Sequence, residues 1–443
     1  MKNLLKRLGL ILIVVAMLFV SACSNGSSNV GGGENNGEST TDKDGNTVIK
    51  IMFHVDSKSA EGQAYKKRID AFNAAYKDKN IKASASYIAR TTGAADYEQK
   101  LIGMQNEGSL PDIITFDAPN CASYAKSELI YDLSNIVPQD VKNDFLSLNE
   151  YNGKLYGLPI QESSAGFYYN KAIFAEAGVD VSGYTVENPW TFEQFKAVCQ
   201  QIKNKGKMAV DMRLDATKDE TATYLLYPFV YAAGGKFLSE DGLTANGYLN
   251  SDETKKGFQF LKDLVSSGYT SYAIGATDFF DGKVGMYLSS GWTIPDLDNK
   301  YTTVFPNRDA WGLLPYPKDV ECASATGSWS FAITNNHHTD TTHIKELLLW
   351  LVTPESSKVI TDATGMIPAR KSVETNYAEG SPESVLLSQL AKTGVERPVT
   401  IGYPQFSTNF RNIVYEMKDG DLATILREKA TSLQKDLDNL KNI

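Results

Sequence analysis

The sequence predicts an α/β protein of two lobes, and three observations carry that expectation. Strand and helix signals alternate from Thr47 onward. The segment from there to Ile443 outruns the roughly 250 to 300 residues at which a single hydrophobic core stops growing and chains divide. After a second series of elements the alternation revives near residue 311.

The stretch TVIKIMFHV, rich in β-branched and apolar residues, reads as a buried strand. Ile69, Phe72 and Tyr76 follow at helical spacing, and IKASASYIA then alternates with period two. A helix near DYEQKLIGMQNEG and the strand DIITFD complete the series. This order implies a mostly parallel sheet with helices on its faces, in which ligands sit beyond the carboxyl ends of the strands. His54, Asp56, Asp117 and Asn120 stand at two such ends. After LYGLPI, the strand AGFYYN opens a second series, where Thr191 caps the helix FEQFKAVCQQI. The strand GKVGMYLSS carries that series to Trp292, GLLPYP and SWSFAIT restore the alternation, and the end of the chain is largely helical.

Ahead of the folded part, Lys2, Lys6 and Arg7 precede an apolar run from Leu8 to Val20, which ends in Ser21, Ala22 and Cys23. A charged start, a short apolar middle and a small-residue cleavage site are the marks of a secretory signal. The run falls short of the ~20 residues that span a bilayer core. From Ser24 to Asn46 nearly every residue is polar or Gly, a composition that buries too little apolar surface to offset ordering entropy. This segment is expected to be a flexible tether of roughly 25 to 30 Å end to end. Its GGGENNG lacks the Gly-Lys-Ser/Thr of a phosphate loop, and DKDGN lacks the spacing of an EF-hand.

Composition excludes several function classes. A formal net charge of −9 argues against a nucleic-acid partner, which requires a basic stripe. Cys121, Cys199 and Cys322 are widely spaced and odd in number, so isolated thiols are expected in place of a disulfide or zinc framework. His337, His338 and His343 cluster in a polar loop at no established metal-ligand spacing, and no metal is expected there. Aromatic residues make up 11% of the chain with 23 tyrosines, enough that some are expected to face a ligand.

The succession SLPDIITFDAP, LYGLPI, FYYNKAIFAEAGV, PWTFEQF, FFDGKVGMYLSSGW, GLLPYP, LVTPESSKVI and TGMIPAR resembles, in the same order, the extracellular solute-binding proteins of bacterial ABC importers. More narrowly it is similar to the carbohydrate-binding group that includes maltose-binding protein. The resemblance implies a periplasmic-binding-protein-like fold: two α/β lobes joined by strand crossovers, with a sugar enclosed in the cleft by hinge closure. It implies lobes of residues 47–163 plus 311–352 and 164–310 plus 353–443. The sequence VSAC resembles a lipoprotein lipobox, which makes Cys23 the acylated N-terminus after residues 1–22 are removed. The implied protein is a lipid-anchored monomer facing outward from the cell membrane. It hands a carbohydrate to ABC permease subunits, has no enzymatic activity, and needs no cofactor.

Carried over to this chain, the resemblance assigns ligand-binding roles. Trp292, in the GW after VGMYL, stands where the family stacks an aromatic ring under a sugar, and Tyr224, Phe406 and Trp329 match further aromatic positions. A pyranose has a face of C–H bonds that an indole matches while leaving the hydroxyls free. Carboxylates accept from paired sugar hydroxyls. Asp117 is the first choice for that role, beside Phe116, followed by Glu162, Asp56 and the amide of Asn120. Arg370 in TGMIPAR is assigned either to the cleft or to pinning its loop. Two other function classes remain open: an exported glycoside hydrolase using Asp117 and Glu162 as paired carboxylates, and a tethered adhesin.

Overall fold

The computed structural model describes residues 41–89, 95–215, 219–335 and 340–442. In chain order the strands begin with β1 (Thr47–Phe53), β2 (Ile81–Tyr87) and β3 (Ile113–Asp117), then the hairpin of β4 (Asn149–Tyr151) and β5 (Lys154–Pro159). The short β6 (Gln161–Glu162) leads into β7 (Ala165–Asn170), β8 (Met208–Asp211), β9 (Val284–Ser290) and β10 (Trp311–Leu314). There follow β11 (Ser324–Ala325), β12 (Trp329–Ile333), β13 (Ile367–Pro368) and β14 (Gly394–Val395). They form a six-stranded sheet in the order β2-β1-β3-β12-β5-β4 and a four-stranded sheet in the order β10-β7-β9-β8.

Each sheet is buried on both faces, and the period-two alternation of its strands shows how. Ile49, Ile51 and Phe53 of β1 enter one cluster with the helix Ala60–Ala75, while Met52 enters another with Ile114, Phe116 and Tyr97. In β7, Phe167 and Tyr169 face one core and Tyr168 faces the opposite one. A strand covered on both sides must be apolar throughout, and β3 and β7 are buried at every residue. The helices are capped as their sequences demand: Ser59 Oγ accepts from the Gly62 amide at 3.0 Å, and Thr191 and Gln194 form a complete capping box.

The chain passes between the two sheets more than once, and these passages place the strand ends together. One runs from β5 through β6 into β7, another from β10 through β11 into β12. Two small ladders brace them: β6 pairs with β13, Glu162 opposite Ile367, and β11 pairs with β14. In the second passage Gly327 has φ +132, a conformation that favours glycine, and a Cβ there would lie 2.9 Å from the Arg397 guanidinium.

Several expectations are corrected here. The sheets are mixed, not mostly parallel: β12 enters the first sheet antiparallel to both β3 and β5 because it arrives from the second sheet. The strand Trp311–Leu314 pairs with β7, so within 311–352 the first sheet is entered only at Trp329. The helix Pro354–Thr364 packs on Ala60–Ala75, where Arg68 Nε donates to Ser356 Oγ at 2.9 Å, so it stays with the first lobe. The last residues of the expected tether are ordered by a local turn. Asp42 Oδ1 accepts from the amides of Asp44 at 3.0 Å and Asn46 at 2.9 Å, and Thr41 bridges to Thr47. Those bonds, the Asn46 amide foremost, hold the Asp42 carboxyl down at about 2. Cys121 and Cys199 are free, buried thiols, and Cys322 is free and half-buried. Cys23 and residues 1–40 lie outside the described residues, as do His337 and His338.

Candidate functional site

The carboxyl end of β3 and the amino end of β12 are neighbours, with Asp117 opposite Trp329 in the antiparallel register. Asp117 is buried, and its two oxygens accept a bidentate pair from Arg397, Nη2 to Oδ1 at 2.7 Å and Nη1 to Oδ2 at 2.8 Å. Arg397 follows β14 on a segment packed with the second sheet, so the pair ties one lobe to the other. The same Nη1 donates to Glu220 Oε1 at 2.8 Å. Glu220 also accepts from the hydroxyls of Tyr403 and Ser407. Burial pushes the Glu220 carboxyl up, against the pull of Arg397. One guanidinium thus serves two buried carboxylates, where a fork of fixed donors loses less on ordering than a flexible ammonium.

Aromatic residues flank this cluster. The Arg397 guanidinium lies 5.3 Å from the centre of the Tyr224 ring, and the Tyr224 hydroxyl is 2.7 Å from Ser163 Oγ. Ser163 in turn donates to the carbonyl of Gly327 on the passage into β12. Burial raises the Tyr224 phenol to about 12. Trp292, on the turn directly after β9, has its ring centre 5.8 Å from that of Tyr224 and is 41% exposed. Its neighbour Gly291 is set against the Gly365 carbonyl so closely that a Cβ would collide with it. Asp117, Tyr224, Trp292 and Trp329 are therefore linked through the crossing strand. A cavity of about 350 Å³, which none of these four lines, is lined by Pro119, Leu148 and Pro159 from one side and Leu390 and Arg397 from the other. Glu162 lines it too. Its carboxyl accepts from Ser147, and burial raises it to about 7, with Glu396 adding to the rise.

The other assigned residues do not join this group. Phe406 is 1% exposed and packs on Phe237 with ring centres 5.1 Å apart, within the core that the helix Tyr403–Glu416 shares with the second sheet. Its spacing with Phe410 and Ile413 on one helix face is the reason. Phe116 is likewise core, alternating inward from β3 against Tyr124. Arg370 pins its loop: Nε donates to Asp144 at 2.7 Å and Nη1 to the Val352 carbonyl at 2.6 Å. Asp56 is exposed in the turn after β1, where Oδ1 accepts from the Lys58 amide at 2.8 Å. Asn120 is buried on the turn after Asp117.

With this geometry in view, known proteins are similar in a consistent way. A family model described as bacterial extracellular solute-binding protein matches residues 67–384. The chain belongs to this family. A diacetylchitobiose binding protein of Streptomyces coelicolor is 24% identical over 325 residues, covering 68% of this chain and 70% of that protein. A carbohydrate ABC transporter substrate-binding protein of Streptococcus pneumoniae is 23% identical over 290 residues, 62% of this chain and 57% of the other. The crystal structure of a cyclic α-maltosyl-1,6-maltose binding protein from Arthrobacter globiformis superposes with a TM-score of 0.72. It is 25% identical and covers 90% of this chain and 100% of its own. The two-lobed fold of this solute-binding protein is that of the sugar-binding periplasmic proteins. The glycoside hydrolase alternative finds no support: the family binds solutes, and Asp117, one of its two carboxylates, is held at both oxygens by Arg397.

Sequence reasoning missed Arg397, Glu220 and Ser163. Nothing in ERPVTIGYPQF marks Arg397, whose partner Asp117 lies 280 positions away. Substituting Arg397 by Met leaves two buried carboxylates without their cation, and a loss of about 3 to 5 kcal/mol is expected in urea unfolding at pH 7. The loss should shrink when Asp117→Asn is added. Glu162 carries a pH signature. Its folded value stands above the ordinary 4.5, so its contribution is intact below that pH and is lost as pH rises through about 7. Glu162→Gln is therefore expected to unfold like the wild type at pH 4.5. At pH 8 it should be the more stable by up to about 3 kcal/mol, measured by denaturant titration at both values.

Proposed function

We propose that this solute-binding protein captures a carbohydrate in the cleft between its lobes and presents it to the permease of an ABC importer. The observation that carries this reading is the Trp292 indole, 41% exposed at the end of a fully buried strand and beside the buried Tyr224. A large apolar face left in water next to polar groups matches the C–H face of a pyranose, whose hydroxyls then find the surrounding acceptors and donors. Ser163, Glu162 and the outer lone pairs of Asp117 supply those partners. Relatives named for diacetylchitobiose and for carbohydrate transport support the same ligand class. Capture needs no bond cleavage, and the sugar is expected to be recovered unchanged. Closing of the lobes around it is the signal to the permease.

Among the described residues no helix is long and apolar enough to cross a membrane. Attachment is proposed to run through lipid on Cys23 and the tether that follows it, placing a monomeric receptor on the outer face of the cell membrane.

Two experiments test these parts. Calorimetric titration with maltotriose and diacetylchitobiose should show Trp292→Ala weakening the bound sugar by about 2 kcal/mol or more, with Trp292→Phe retaining part. Thermal stability should fall far less than the ~3 to 5 kcal/mol of a core tryptophan. A large stability loss at unchanged affinity would remove Trp292 from the cleft. For the anchor, Cys23→Ala should move the full-length protein from the membrane fraction to the soluble one without altering its melting point. Retention after a salt wash would exclude lipidation at Cys23 as the anchor.

A further inference from the structure

His54 is the first residue after β1 and has no exposed surface at all. Its imidazole is held at one edge and faces a carboxylate at the other. Nδ1 lies 3.0 Å from Thr115 Oγ1 on β3, and Nε2 lies 3.5 Å from Glu61 Oε1 on the helix Ala60–Ala75. Both partners are themselves held: Tyr97 donates to the Thr115 carbonyl at 2.7 Å, and Tyr65 donates to Glu61 at 2.7 Å. The imidazole offers a face, and the Trp329 indole lies flat on it. The ring centres are 3.5 Å apart and the planes 1° from parallel. The indole also meets Tyr97 at 5.8 Å and 79°, an edge contact. Trp329 nevertheless remains partly exposed.

We infer that His54 is the positioning residue for Trp329: the clamped imidazole holds the indole plane so that its remaining surface is presented to the sugar. This rests on the proposed role of Trp329 as a ligand-stacking residue. The physical argument is one of ordering entropy. A tryptophan at a strand end has two free torsions, and a ligand that stacks on it must otherwise fix them at its own expense. A ring already stacked on a rigid neighbour has lost that freedom during folding, so the ligand meets a flat surface at a set angle. The imidazole supplies that flat face while its nitrogens meet the polar atoms of Thr115 and Glu61. His54 itself, wholly buried, touches no ligand.

The test uses full-length protein labelled with 5-fluorotryptophan, in which Trp329→Phe assigns the Trp329 fluorine resonance. Three substitutions separate stacking from hydrogen bonding: His54→Phe keeps a ring, His54→Gln keeps a polar edge without a ring, and His54→Ala keeps neither. Affinity for whichever of maltotriose and diacetylchitobiose binds is measured alongside. If His54 positions Trp329, the Phe variant retains one sharp resonance and binds within about twofold of wild type. The Gln and Ala variants shift and broaden that resonance and bind about five- to tenfold more weakly, the range expected for losing an aromatic pair. Equal affinity in all three would overturn the proposal, as would a Phe variant as weak as Ala. Trp329→Ala distinguishes the two levels: if it binds normally, the stacking role of Trp329 fails first. If it binds weakly while His54→Ala does not, only the positioning role fails.

Discussion

One guanidinium sits between two buried carboxylates that come from different lobes, and much of the cleft is arranged around that fact. While Asp117 and Glu220 stay buried they need Arg397, because an uncompensated buried charge costs several kcal/mol. Its position therefore dictates others. Gly327 must lack a Cβ to let the guanidinium pass, the Tyr224 ring lies near it, and Tyr403 and Ser407 complete the shell of Glu220. The passage that carries β12 back into the first sheet is held by the same group of residues, through Ser163 and the Gly327 carbonyl.

Aromatic surface is distributed on both sides of this polar clasp, exposed on one and stacked on the other. Trp292 and Tyr224 belong to strand and helix ends of the second sheet, with Trp292 the more exposed. Trp329 and His54 belong to the first, as a stacked and clamped pair. Lobes that meet with one exposed and one stacked aromatic surface offer a ligand two apolar faces set among polar groups. Glu162 on β6 adds a carboxyl to the cavity wall, which burial raises to about 7.

The elements of the fold are legible in the sequence because their signals are local. Period-two alternation marks β2, capping residues mark the helix Phe192–Lys203, and Trp292 is announced by the turn that ends a buried strand. What is not legible is pairing between distant segments. The antiparallel entry of β12 depends on where the chain has been, and the Arg397 partnership spans 280 positions. Phe406 shows a different failure. Its helical spacing with Phe410 and Ile413 already signals a core face, whereas the family resemblance pointed it at the ligand.

The choice of a salt bridge for the contact between lobes has a thermodynamic consequence. Desolvation of a buried ion pair cancels most of its Coulomb attraction, so the Arg397–Asp117 contact specifies geometry while adding little net stability. Arg397 keeps Glu220 as a partner within its own lobe, so separation of the lobes strands no buried cation there and returns Asp117 to solvent. An apolar seam of the same size would favour the closed arrangement by its full buried area. A ligand can shift a two-state equilibrium only by its differential affinity for the two states, and a gap of a few kcal/mol is what a bound sugar can overcome. A clasp of precise shape and small net energy is thus the kind of contact that leaves the decision to close with the ligand.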